Sequence, residues 1–249
     1  MTLAKLLFLF LTTQLAYAQS PRPVFEVATV KLAAPNTDGH THINYPKNDN
    51  FSATNITLLA LMEWAYAMPE RQILDGPPWI AATRFDIQAK SEIGDTLKGL
   101  PSDQSNELKR QMVRNLLADR FQLKVHEEKR TMPAYDLILA KGGFKLEPSQ
   151  SNGKSIGTGR NHFNGQGLTM TLIAEELSKI AGRVVVDKTG LTDRYDLALR
   201  WTSDDAVASE TDPPTLFTAI QEQLGLKLEA AKEPVSVIVI DHVEQSSPN

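Results

Sequence analysis

Two stretches of this chain repeat one another, and the repetition limits the fold more than any other feature. Phe51-Ser52-Ala53-Thr54-Asn55-Ile56-Thr57-Leu58 parallels Phe163-Asn164-Gly165-Gln166-Gly167-Leu168-Thr169-Met170. Each is an extended lead-in that meets a Thr able to cap a helix. The helix predicted after Thr57 carries Leu58, Leu61, Ala65 and Met68 on one side; the one after Thr169 carries Ile173, Leu177 and Ile180. A turn and a strand follow both times: Ile73-Leu74-Asp75-Gly76-Pro77-Pro78-Trp79 then Arg84-Phe85-Asp86-Ile87-Gln88-Ala89, and Val184-Val185-Val186-Asp187 then Arg194-Tyr195-Asp196-Leu197-Ala198-Leu199. The alternating aromatic and aliphatic residues predict strands with one buried face. Each half then continues through a polar insert, a second helix (around Met112–Leu117 and Leu216–Ile220) and a strand. A charged turn at Glu127–Arg130 or Ala231–Glu233 leads to a closing apolar strand.

This order predicts an α+β fold of two related subdomains, each with small β-sheets packed against two helices. Residues 1–18 read as a signal peptide, 19–50 as an N-terminal strand and loop, 51–140 as the first half and 163–244 as the second. Residues 245–249 are a tail. Between the halves, 141–162 reads as a Gly/Ser-rich linker, since seven of the 14 glycines fall between Gly142 and Gly167 with no hydrophobic period. Phe25–Lys31 alternates like a strand that can add to the edge of either sheet.

Composition narrows the function classes. A formal charge of −4 from 26 Lys+Arg and 30 Asp+Glu argues against nucleic acid as a partner. The absence of cysteine removes disulfides, thiolate catalysis and Cys-ligated metals. Lys5, the apolar run Leu6–Leu11 and the small-x-small site Ala16-Tyr17-Ala18 predict export with cleavage after Ala18, to the periplasm or the medium. No later run reaches the ~18 apolar residues of a membrane span, so no transmembrane segment is expected in the mature chain.

Catalytic templates fail, and no cofactor is expected. Gly153-Lys154-Ser155 matches only the end of a phosphate loop, with Pro148 where its first glycine belongs. Gly157-Thr158-Gly159 lacks the third glycine of a dinucleotide fingerprint, and no Gly-x-Ser-x-Gly occurs. Asp38, His40 and His42 are the nearest approach to a metal set, two imidazoles and a carboxylate on a polar loop without a fourth ligand. His126, Glu127 and Glu128 read as part of a charge-balanced turn. Pro77 and Pro78 make a rigid corner, sharper if their bond is cis, that sets Trp79 either as a core plug or as a contact residue.

The stretches Phe25–Lys31, Gly76–Trp79, Arg84–Lys90, Leu116-Leu117-Ala118-Asp119-Arg120-Phe121, Val186–Thr192 and Gln221–Glu229 resemble those of a family of exported bacterial proteins of unknown function, heavily duplicated in Acidobacteria. The resemblance covers about residues 24–244 and implies an exported protein without an assigned activity. Some members are joined to a membrane metallopeptidase, but this sequence has no His-Glu-x-x-His. Each half is also similar to the short N-terminal domain of secretins and TonB-dependent receptors, which implies protein contact in the periplasm.

The leading expectation is therefore a non-catalytic module that binds a periplasmic or cell-envelope protein, with strand-edge pairing as the mode. One alternative is a hydrolase of an extracellular polymer that gathers Asp75, Asp86, Asp187 and Asp196 in a cleft. Another is a ligand-sensing domain for a membrane regulator.

Overall fold

The computed structural model describes residues 22–34, 41–44, 50–91, 93–202 and 213–245. The expected signal peptide, Asp38 and His40 lie outside them, as does the tail beyond residue 245. The elements in chain order are β1 (Val27–Leu32), β2 (His42–Asn44), β3 (Asn50–Thr57), α1 (Leu58–Tyr66), β4 (Ile73–Leu74), α2 (Trp79–Ala82), β5 (Arg84–Lys90), α3 (Gly94–Gly99), α4 (Ser102–Phe121), β6 (Lys124–Leu139), β7 (Ser155–Gly159), β8 (His162–Thr169), α5 (Met170–Ile180), β9 (Val184–Asp187), β10 (Arg194–Arg200), α6 (Leu216–Ala219) and β11 (Leu226–His242). Small sheets backed by helices give the α+β class that the repeated pattern predicts. Among the described residues, no helix is long and apolar enough to cross a membrane.

Each half builds an outer antiparallel sheet, in the order β1-β5-β3-β2 for the first and β10-β8-β7 for the second. Helix starts follow from the sequence: the Thr57 and Thr169 hydroxyls accept from the Ala60 and Leu172 N–H groups. Beneath the first sheet lie Phe51, Ile56, Leu61, Phe85, Leu117 and Phe121, all buried, with Phe85 and Phe121 edge to face at 5.1 Å. Beneath the second lie Phe163, Leu168, Ile173, Leu177, Tyr195 and Leu199.

The third sheet joins the halves, and it corrects the sequence reading. Glu127–Arg130 and Ala231–Glu233 are not turns. They lie inside β6 and β11, single strands of 16 and 17 residues that pair antiparallel from Leu226↔Leu139 to His242↔Lys124. The order β4-β11-β6-β9 alternates strands of the first and second halves. β4 runs parallel to β11 at Ile238↔Ile73, and β9 runs parallel to β6 at Tyr135↔Val185. The sequence misleads here because the apolar cores sit at the two ends of this ladder. Its middle keeps one face exposed and the other only half-buried, and it loses the apolar alternation that marks a strand. Pro133 and Pro234 fall in that middle, where neither β4 nor β9 reaches, so they interrupt no third-strand ladder.

The exchange carries side chains across. Ile238 and Ile240, from the end of the second half, complete the first core. Leu137, from the first half, is fully buried in the second.

Candidate functional site

The duplicated Arg-aromatic-Asp motif has a shared local task. In the second half, the Asp196 carboxylate accepts the Gly167 N–H at 2.8 Å and Arg194 Nε donates to the Gly167 carbonyl at 2.7 Å. In the first, Asp86 accepts the Asn55 N–H at 2.9 Å and Arg84 donates to the Asn55 carbonyl at 2.7 Å. Asn55 and Gly167 both have positive φ, at 54° and 63°, and both sit where the strand register shifts. The motif therefore clamps a bulge two residues before each helix-capping Thr. Hydrogen bonds from Ser149 and from Gly167 hold the Asp196 carboxyl below the ordinary carboxylate range. Its contribution is present above the unfolded value and is lost as pH falls through the folded one.

Gly167→Ala tests the clamp. A Cβ there would lie 2.2 Å from the Gly153 carbonyl oxygen, and the left-handed backbone alone costs an L-residue about 1–2 kcal/mol. The expected result is a lower urea midpoint by at least that amount, with the slope unchanged.

This arrangement disperses the four aspartates of the hydrolase alternative. Asp86 and Asp196 belong to the clamps of two separate sheets. Asp75 follows β4 and pairs with Arg130 at 2.9 Å, whereas Asp187 ends β9 and accepts the N–H and hydroxyl of Thr189. β4 and β9 are opposite edges of the shared sheet.

The other sequence candidates fall as follows. His42 opens β2 opposite Thr54. Among the described residues no three His, Cys, Asp or Glu side chains gather to hold a metal ion. His126 lies in the β6/β11 ladder, where its bond to Asp241 at 2.9 Å raises the imidazole above its ordinary range. Trp79 opens α2 and packs half-buried against the first core, with Pro77 half-buried and Pro78 exposed. No peptide bond of the described residues is cis, Pro77–Pro78 included.

What remains chemically open is sheet edge. Proteins shield edges with charges, prolines, bulges or covering chain, and most edges here are shielded or short. In the first sheet, the Ala33 N–H donates to the Arg84 carbonyl, so Ala28, Val30 and Leu32 turn their backbone polar groups outward. Arg120 donates to the Ala28 carbonyl at 2.8 Å and lies on that edge. β2 has three residues and β4 two. The free side of β10 is covered, since Pro148 bridges Tyr195, the Ser149 N–H donates to the Arg194 carbonyl, and Phe144 stands edge to face with Tyr195 at 5.1 Å.

Among the described residues, β7 has no such cover. All five residues, Ser155-Ile156-Gly157-Thr158-Gly159, are exposed and none is charged. The Trp201 N–H donates to the Asn161 carbonyl, so Asn161 and Phe163 address β10 while His162 and Asn164 address β7 through Gly159 and Gly157. Ile156 and Thr158 therefore present two N–H donors and two C=O acceptors to the outside. Ile156 stands opposite Gly165, which has no side chain to cover it, and is 42% exposed. Arg194 fixes the approach to the strand, since its Nη2 donates to the Gly153 carbonyl at 3.0 Å.

Sequence reasoning missed β7 by placing it inside the linker, because three of its five residues are Gly or Ser. The usable signal was Ile156 and Thr158 spaced by two, then the two-residue connection Arg160-Asn161, then the alternation from Phe163.

A family model described as a protein of unknown function (DUF3738) matches residues 59–243, well over half of the chain. No curated protein and no solved structure matches it.

Proposed function

The chain belongs to the DUF3738 family of unknown function, and from that premise we propose that it is an exported, non-catalytic interaction module that takes an extended segment of a cell-envelope protein as an added strand on β7. The observation that carries this reading is an edge whose five residues are all exposed and uncharged, with Ile156 on it and no described residue across it, whereas Arg120 lies on the β1 edge and the Pro148–Ser149 segment covers β10. Backbone pairing along β7 supplies affinity, and the strip beside Ile156 supplies a place for an apolar side chain. The likeness of each half to the short N-terminal domain of secretins and TonB-dependent receptors points the same way. Export rests on Lys5, the Leu6–Leu11 run and the Ala16–Ala18 site.

Thr158→Pro tests the docking edge, because the lost N–H faces outward and the β7/β8 ladder keeps its bonds. With a photo-reactive group at Ser155, the exported protein is expected to form a discrete adduct in its own cells and to lose it with Thr158→Pro, circular dichroism staying unchanged. An adduct that survives the proline sinks the edge reading. The mature chain is expected to begin at Gln19, which N-terminal sequencing checks.

A further inference from the structure

The stretch of chain that contains β7 carries charge of one sign. Lys154 precedes the strand and Arg160 follows it; both are exposed, and neither side chain makes a hydrogen bond or ion pair with another described residue. The His162 ring lies over Gly159, where a Cβ would meet it at 2.2 Å, and Arg200 pairs with His162 across the sheet. From Gly153 to Thr169 there is no Asp or Glu, in a chain whose formal charge is −4. The acid on β10, the strand beyond β8, is Asp196, which is already bonded to Gly167.

We infer that the segment received by β7 is acidic at both ends and apolar or small between them. Resting on the edge reading above, this deepens it by naming the partner's chemistry. An antiparallel strand centred on Gly157 places its own residues opposite Lys154 and Arg160, six positions apart, and carboxylates there meet both cations. The same register disfavours a second copy of this chain as the occupant, because β7 against β7 sets Lys154 against Arg160. The exposed Ile156 side chain offers an apolar contact to a small apolar side chain from the segment's middle.

The probe is a synthetic seven-residue peptide, Glu at each end and alternating Thr and Val between, with a Gln-ended peptide of the same core as control. Each is titrated into the mature full-length protein and followed by the amide signals of Ile156 and Thr158. The Glu-ended peptide is expected to bind about tenfold tighter than the Gln-ended one at low salt, as two exposed pairs allow. The advantage is expected to vanish at about 0.5 M salt, where screening is short-ranged. The double variant Lys154→Glu, Arg160→Glu is expected to reverse the preference. If both peptides bind equally and both are lost with Thr158→Pro, the edge stands and the acidic-end inference falls. If neither peptide shifts those amides, or the proline variant binds as well as the parent, the edge reading falls first.

Discussion

A single cut between the halves leaves one folded particle. A protease site inserted after the exposed Gln150 separates the chain into two fragments, and these are expected to elute together at the volume of the intact protein. The reason is the exchange within the shared sheet. β6 and β11 belong to different fragments yet pair along nearly their whole length. At one end the Ala140 N–H donates to the Gly225 carbonyl at 2.9 Å, and at the other the Glu244 N–H donates to the Phe121 carbonyl at 2.7 Å. His126 meets Asp241 across the ladder, and Arg71 of the first half donates to the Ser178 carbonyl of the second. Each fragment alone exposes the apolar surface that the other's strand covers, so neither is expected to refold by itself, and mixing them in refolding buffer is expected to restore the native circular dichroism. Fragments that part in native buffer, or that refold singly as monomers, would show that the halves are independent bodies.

This exchange also marks where the sequence stops being informative. Local features were legible because their causes are local. Thr57 and Thr169 cap helices through bonds three residues away, and Phe85, Ile87, Tyr195 and Leu197 alternate because one sheet face is dry. The clamp was visible only as a repeated Arg-x-Asp. Its partners, Asn55 and Gly167, lie about 30 residues upstream, and bulges leave no periodic trace. Strand exchange was not legible for a stronger reason. A hairpin within one half and a ladder between two halves use the same apolar residues at the same spacing. What differs is only whether Glu127–Arg130 bends or runs straight, and polar residues serve either. The absence of Gly or Asn from both supposed turns was the one local hint that they do not turn. β7 was hidden for the opposite reason, since a strand whose five residues are all exposed has no need of apolar residues.

Removing one side chain from an exchanged strand is expected to loosen the half that did not encode it. Ile238 is 1% exposed and packs in the first core, although it stands near the end of the second half. Ile238→Ala removes its buried methyl groups and leaves a cavity in the first core, at a cost of about 2–5 kcal/mol. Hydrogen exchange is expected to accelerate first at α1 and α4, more than 100 residues upstream in sequence, while α5 keeps its protection. Leu137→Ala is the mirror experiment. Leu137 is encoded in the first half and fully buried in the second core, so the same cost is expected with acceleration at α5 and β8. The crossed pattern separates exchange from simple proximity, because two self-contained halves would each lose protection on the side that carries the mutation. The two substitutions lie in different cores with no shared partners, so their costs are expected to add in the double variant to within about 0.5 kcal/mol. A large departure from additivity would mean that the β6/β11 ladder transmits strain between the cores as well as joining them.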